Sequence, residues 1–371
     1  MSVVKLGNVA RESRLKWEKS KQDVPIVGLE HLVPDEIRFD AYDKNTDNTF
    51  SKKFVKGQVL FGRRRAYQRK AAVAEFDGIC SGDIIVIETI DGKMVPELLP
   101  FIIQTPAFFD YANRGSAGSL SPRVKWEHLA AYEFELPSLE EQKILADKLW
   151  AAYRLKEAYK KLLVATDEMV KSQFIEMFEN VSMSSEMQDC FSLIRNGANI
   201  KQGQLEGGIP ITRIETISEE IIDRQKMGYA GIADNKYELY YLQDGDILMS
   251  HINSLKHIGK CALYNKKGNE TIIHGMNLLC LRPQIAIINP VFAIHMLRSD
   301  IVRKDIADIT KPAVNQASFS VKDFGKLKAI IPPMSEQLKF VAIVEQADKS
   351  KFELKQCIEN IDKVIKSLIN G

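Results

Sequence analysis

The sequence predicts an α+β chain: two similar heads with small curved sheets, separated by an antiparallel two-helix coiled coil and related by an internal pseudo-two-fold repeat. Three observations predict this. The chain matches itself, two long helical stretches share one apolar seam, and short strand-like runs inside each half alternate with turn residues.

The self-match is one of order and spacing. "VKGQVLFG" (55–62) resembles "QDGDILMS" (243–250), each a glycine, a spacer and a β-branched or aliphatic run. "RKAAVAEF" then parallels "IGKCALYN", and "GICSGDIIVI" parallels "IIHGMNLLCL". "LSPRVKWEHLAAYEFELPSLEEQ" (120–142) matches "FSVKDFGKLKAIIPPMSEQ" (319–337), with Pro137 and Gln142 recurring 195 positions later as Pro332 and Gln337.

Each unit closes in a helical stretch without proline or glycine in its body. Leu149, Ala152, Lys156, Tyr159, Leu163, Thr166, Val170 and Gln173 follow alternating steps of three and four. Val344, Ala347, Lys351, Leu354, Ile358, Ile361, Ile365 and Leu368 follow the same steps. These are the a and d positions of a short coiled coil. A helix packed on its own head explains either seam alone; two seams in one register favour mutual pairing.

Parallel pairing would set Lys156 against Lys351, so the two lysines favour the antiparallel arrangement, in which each long stem carries its ammonium to water. At 1.5 Å per residue each helix is roughly 50–60 Å long, enough to carry the chain from one head to the other and back. Ser138 and Glu141 read as a capping box for the first helix, and Ser335, with Leu338 at the matching place, lacks one. The division is 1–137 and 181–333 for the heads, 138–180 and 334–371 for the helices.

Within the heads, strands are expected at 58–61, 83–88, 131–136, 246–249, 278–281 and 327–331, and helices at 105–113 and 289–308. Apolar residues at 45%, charged residues at 27% and a formal net charge of +2 describe an ordinary globular chain, so any polyanion-binding surface must be local. Five scattered cysteines, with no C-x-x-C, argue against a disulfide framework or a zinc ribbon. No run is long and apolar enough for a signal core or a bilayer span, which predicts a cytoplasmic protein without a membrane partner.

The local basic surface is "FGRRRAYQRK" (61–70). From Ser51 to Lys70 there are eight basic residues and no acidic one. A solvated face is the ordinary reading of a charge run. Here Arg63, Arg64, Arg65, Arg69 and Lys70 are interleaved with Tyr67 and Gln68, a mixture that can hold phosphates and read base edges. The matching stretch of the second head offers Ser250, Asn253, Ser254, Lys256, His257 and Lys260 without an arginine, which suits a different base pattern. Two further loops recur, with Ser119, Arg123 and Lys125 in the first head and Lys311, Asn315 and Gln316 in the second; capping of the following strand explains them equally well. His251 and His257 lack a third ligand nearby and read as loop residues, so no metal is expected. No G-x-x-x-x-G-K-[ST], H-E-x-x-H or G-x-S-x-G occurs, and "NPVF" and "IPPM" do not complete the Asn-Pro-Pro-aromatic element of amino-methyltransferases. No catalytic residue is assigned.

The two heads, the "P-x-x-x-x-Q" lead into each helix, "GQVLFGRRRAYQRKAAVAEFDGICSGDIIVI", "GSLSPRVKW" and the opening "VKLGNVA" together resemble the specificity subunit of type I restriction-modification systems. The likeness covers essentially the whole chain and is weaker in the second head. It implies a non-catalytic reader of double-stranded DNA. Two target-recognition domains would each take one half of an asymmetric bipartite sequence, and the spacer helices would fix the gap. It also implies two methyltransferase subunits docked on the helices and two motor-nuclease subunits, with S-adenosylmethionine, ATP and Mg2+ held by those partners and no cofactor in this chain. A free-standing DNA-binding regulator or scaffold, and a nucleic-acid enzyme with an unrecognised active site, are the alternatives.

Overall fold

The structure is a computed structural model and describes residues 2–118, 120–200, 202–203, 208–231, 235–314 and 316–370. Contacts divide the chain into two compact units: residues 1–160 with 355–371, and residues 161–354. Each long helix is therefore shared between the units.

The first unit is organised around a four-stranded antiparallel sheet of β1 (Ala10–Glu12), β2 (Val59–Gly62), β3 (Ala71–Val73) and β4 (Ile84–Thr89), in the order β1-β4-β2-β3. β2, β3 and the body of β4 are apolar without interruption because both faces are covered there, whereas the edge strand β1 exposes Arg11. Val59, Phe61, Ile85 and Ile87 point into a core shared with Phe101, Phe108, Phe109, Leu149 and Tyr153. Leu60, Ile84 and Val86 point into the opposite core with Val27, Phe39 and Phe54. The strand Ser2–Lys5 pairs antiparallel with Glu133–Leu136, and the first long helix, Leu139–Phe178, follows.

The second unit repeats the plan. β5 (Phe191–Asn196), β6 (Ile247–Ser250), β7 (Cys261–Leu263) and β8 (Leu278–Pro283) form an antiparallel sheet in the order β5-β8-β6-β7. Ile247, Met249, Leu279 and Leu281 face one core, Leu248, Leu278 and Cys280 the other. Ser185–Glu186 pairs with Lys328–Ala329 ahead of the second long helix, Met334–Asn370. The turns leading into β2 and β6 also agree. Gly57 (φ 91°) and Gly245 (φ 86°) occupy the left-handed region that glycine enters without penalty, and their N–H groups donate to Ala74 O (2.8 Å) and Tyr264 O (2.9 Å).

Two buried glutamines fix how each long helix leaves its head. The Gln142 side chain accepts from Val95 N–H and donates to Pro137 O, both at 2.9 Å. Gln337 accepts from Asn289 N–H and donates to Ile287 O and Pro332 O, all at 2.9 Å. The residues they accept from stand just before Pro96 and Pro290, each of which opens a helix. The capping box is present: Ser138 N–H donates to Glu141 Oε2 (3.0 Å) and Glu141 N–H to Ser138 Oγ (3.4 Å).

Along both long helices the expected seam positions are buried or half-buried, while most of the positions between them are exposed. Within the first unit Ile365, Leu368 and Ile369 pack on the cluster that holds Leu149 and Tyr153, so the end of the second helix lies against the start of the first. Within the second unit Val170, Phe174 and Phe178 pack with Phe340, Val344 and Ala347.

Four expectations need correction. The lysines do not escape to water. Lys156, with 16% of its side chain exposed, meets Asp362 at 2.7 Å, and Lys351, at 25%, meets Asp167 at 2.9 Å and Asp348 at 2.7 Å. The aspartates Asp167 and Asp362 follow d positions directly, where a heptad flanks its seam with charge. The helix expected over 289–308 is two helices, Pro290–Arg298 and Asp300–Ile309, because Ser299 is extended (ψ 150°) and its Oγ caps the second through Val302 N–H. The expected strand at 327–331 shortens to Lys328–Ala329, and that at 131–136 starts at Glu133, after a short helix, Trp126–Ala130.

Candidate nucleic-acid interface

β2 ends at Gly62 and the chain runs into Arg63–Lys70, where Arg65 (φ 53°) and Arg69 (φ 56°) take left-handed backbone on either side of a single 3-10 turn, Ala66–Gln68. Such backbone is disfavoured by about 1–2 kcal/mol per residue with a side chain, so surrounding contacts must hold it. Ala66 is buried beneath the turn, and Arg65 N–H donates to Pro122 O (2.8 Å). Arg63 O accepts from Val124 N–H (3.0 Å), and Arg64 bridges Arg123 across the backbone. The two stretches that the sequence offered separately, the arginine run and the loop of Arg123 and Lys125, thus form one surface.

The second unit joins its matching loops in the same way. Ile252–Asn253 pairs with Ala317–Ser318, which also pairs with Lys311–Pro312. Phe319 N–H donates to His251 O (3.2 Å).

At the junction of the first pair lies Asp83, a residue the sequence reading did not select. Its Oδ1 accepts from Arg123 Nε at 2.7 Å, and its Oδ2 lies 3.3 Å from Arg123 Nη2 and 3.5 Å from Arg64 Nη1. Arg64 Nη2 also donates to Ser121 Oγ (3.0 Å). Hydrogen bonds from Arg123, with the positive charges of Arg123 and Arg64, hold the Asp83 carboxyl below the usual carboxylate range. The available signal was "SGD" at 81–83, a turn that sets an acid at the mouth of a strand beside the arginine loop.

The remaining candidates separate by what their side chains touch. In the first unit Arg63 Nε donates to Val124 O (3.1 Å), Arg69 pairs with Asp35 and lies 4.9 Å over the Phe109 ring, and Lys70 Nζ donates to Leu29 O (2.6 Å). Arg69 and Lys70 shape the loop from beneath. Tyr67 is exposed, Gln68 half-buried, and Arg65 and Lys125 form no side-chain ion pair among the described residues. Ser119 lies outside the described residues.

In the second unit Ser250 is 1% exposed and accepts from Asn253 Nδ2 (3.1 Å), so it does not reach the surface. Lys260 Nζ donates to Ser218 O (2.8 Å). Ser254, Lys256 and Gln316 are exposed and His257 half-buried; Asn315 lies outside the described residues. His251 is buried with its ring 6.1 Å from that of Phe319, and burial lowers its pKa to about 4. One grouping of metal-ligand type, Glu30, His31 and Asp43, is present among the described residues. His31 Nδ1 there accepts from Gly28 N–H at 2.9 Å, and Nε2 faces Asp43 at 3.7 Å.

No helix among the described residues is long and apolar enough to cross a membrane. The fold and its paired loops define a two-headed chain of the mixed α and β class, each head presenting a loop pair at the end of its central sheet. The family model described as type I restriction modification DNA specificity domain matches residues 2–163 and again 182–363, and the chain belongs to this family.

Among curated relatives, a protein bearing the name type I restriction enzyme MjaX specificity subunit, from Methanocaldococcus jannaschii, is 41% identical over 187 residues, 50% of this chain and 43% of that protein. The EcoKI type I restriction enzyme specificity subunit of Escherichia coli is 22% identical over 277 residues, 68% of this chain and 60% of that protein. The chain thus spans about half the length of the curated relatives it matches.

Two solved structures share the fold. One, from work on complex assembly and conformational transition of the type I R-M system, covers 100% of this chain and 96% of its own, with a TM-score of 0.60 and 15% identity. The type I restriction-modification system S subunit from M. genitalium covers 99% and 94%, with a TM-score of 0.54 and 12% identity.

Proposed function

We propose that this chain is the non-catalytic DNA-reading subunit of a type I restriction-modification complex. Each head reads one half of a bipartite, asymmetric duplex target. The observation that carries this is the paired loops: one plan recurs in both units, yet the first set carries Arg64, Arg65 and Arg123 and the second carries Asn253, Lys256 and Gln316. Identical loops would suit a symmetric target, whereas divergent loops on a common scaffold suit two different half-sites. Arginine is the side chain that engages a guanine edge bidentately, and Asn or Gln the one that engages adenine.

The two long helices act as an antiparallel coiled coil. The reciprocal placement of Lys156 with Asp362 and of Lys351 with Asp167 supports that direction. It sets the unspecified gap between half-sites and gives an approximate two-fold to the chain. The helices dock two methyltransferase subunits, and two motor-nuclease subunits complete the cleaving complex. S-adenosylmethionine, ATP and Mg2+ belong to those partners. The heads correspond to residues 1–137 and 181–333, with spacer helices 138–180 and 334–371.

The test is to map methylated bases across the genome of cells carrying this chain with its methyltransferase partner. A two-part asymmetric motif with a fixed gap supports the reading. A continuous or palindromic motif, or methylation unaffected by loss of this chain, overturns it.

A further inference from the structure

Asp83 stands at the centre of the first head's basic surface. Neither loop around it, 63–70 or 115–125, contains an acidic residue. Its carboxylate is 21% exposed and carries the same sign as a nucleic-acid backbone, so on a surface that only gathers phosphates it would weaken binding. What it does instead is geometric. It takes Arg123 through Nε and Nη2 and Arg64 through Nη1, while Ser121 takes Arg64 Nη2.

A guanidinium has five N–H donors in a rigid plane, and fixing two or three of them fixes where the rest point. Free arginines swing to whichever phosphate is near. Held arginines present their remaining donors in one direction, which is what discrimination between base edges requires. The second head bears this out by contrast. In the self-match of "GICSGDIIVI" with "IIHGMNLLCL" the place of Asp83 is taken by Asn277, and the neighbouring loops there carry no arginine. The acid accompanies the arginines.

We infer that Asp83 is a specificity-determining positioning residue, which locks Arg64 and Arg123 as a pair so that the first head discriminates base sequence instead of binding any duplex. This rests on the DNA-reading function proposed above.

The experiment uses the full chain in its methyltransferase complex, with the wild type, Asp83→Asn, Asp83→Ala and Asp83→Glu. Affinity is measured for a cognate duplex and for duplexes scrambled in one half-site or the other, across a salt series, alongside thermal stability. For Asp83→Asn and Asp83→Ala we expect tighter binding to scrambled duplex, a steeper salt dependence, and about tenfold less discrimination at the first head's half-site. Discrimination at the other half-site should stay the same, and Asp83→Glu should recover part of the loss. Unchanged discrimination at the first half-site overturns the inference. So does an equal loss of affinity for all duplexes with a lowered melting temperature, which marks a merely structural role. A wild type that binds cognate and scrambled duplexes alike overturns the DNA-reading function itself, and the inference with it.

Discussion

Lys156 and Asp362 form an ion pair at 2.7 Å, and the same pair recurs as Lys351 and Asp167 at 2.9 Å, each residue standing 195 positions from its counterpart with the two helices exchanged. A lysine at a seam position is thereby neutralised by an aspartate that flanks the opposite seam. Replacing Asp362 by Ala leaves the Lys156 ammonium largely covered and without its partner. The expected loss is about 1–2 kcal/mol, between the values for exposed and buried pairs. Adding Lys156→Met restores most of it by making the position apolar. Chemical denaturation of the two variants measures both effects; a double variant as unstable as the single one would contradict this assignment.

The buried glutamines should be unequal. Gln337→Ala strands three backbone groups, Asn289 N–H, Ile287 O and Pro332 O, whereas Gln142→Ala strands two, Val95 N–H and Pro137 O. We expect a cost of about 2–4 kcal/mol for the first and less for the second, read as ordered drops in melting temperature.

Acid should weaken the second unit through His251, His274 and His295, each of whose pKa is lowered by burial. Burial lowers the pKa of His251 to about 4, and burial together with the charge of Arg298 lowers that of His295 to about 4. Both are neutral when folded and take up a proton near pH 6.5 when unfolded, so the unfolded chain binds more protons between those values. Their contribution is complete above about pH 6.5 and is lost as the pH falls toward 4. Urea midpoints at pH 7 and pH 5 should differ, and His295→Gln should flatten the difference.

The basic residues of the first loop should divide into two groups. Arg65→Ala and Lys125→Ala should each reduce the salt slope of DNA binding by about one while leaving stability unchanged. Arg69→Ala and Lys70→Ala should lower the melting temperature first, because their side chains hold Asp35, Phe109 and Leu29 O. Thermal melts and salt titrations of the four variants separate the groups.

Much of this was legible in the sequence because repetition exposes it. The seam from Leu149 and its copy from Val344 share a register, and the apolar runs of β2, β4, β6 and β8 were visible as strands because both sheet faces are buried. What stayed hidden depends on contacts between distant segments. Asp83 acquires its meaning only when the fold brings Arg123 to it from 40 positions away. The aspartates that answer Lys156 and Lys351 flank the seam, outside the a and d positions that periodicity selects. The break at Ser299 was readable in principle, since a serine followed by an aspartate is a helix start; the apolar run on either side concealed it.

The central claim is that two separate heads each read their own half of one target, and altering one head alone tests it most directly. Methylated positions are mapped genome-wide in cells carrying Arg63→Ala, Arg64→Ala and Arg65→Ala together, beside the wild type. The account predicts a motif in which one half becomes degenerate while the other half and the gap between them are unchanged. Degeneration of both halves together, or a change in the gap, would contradict it.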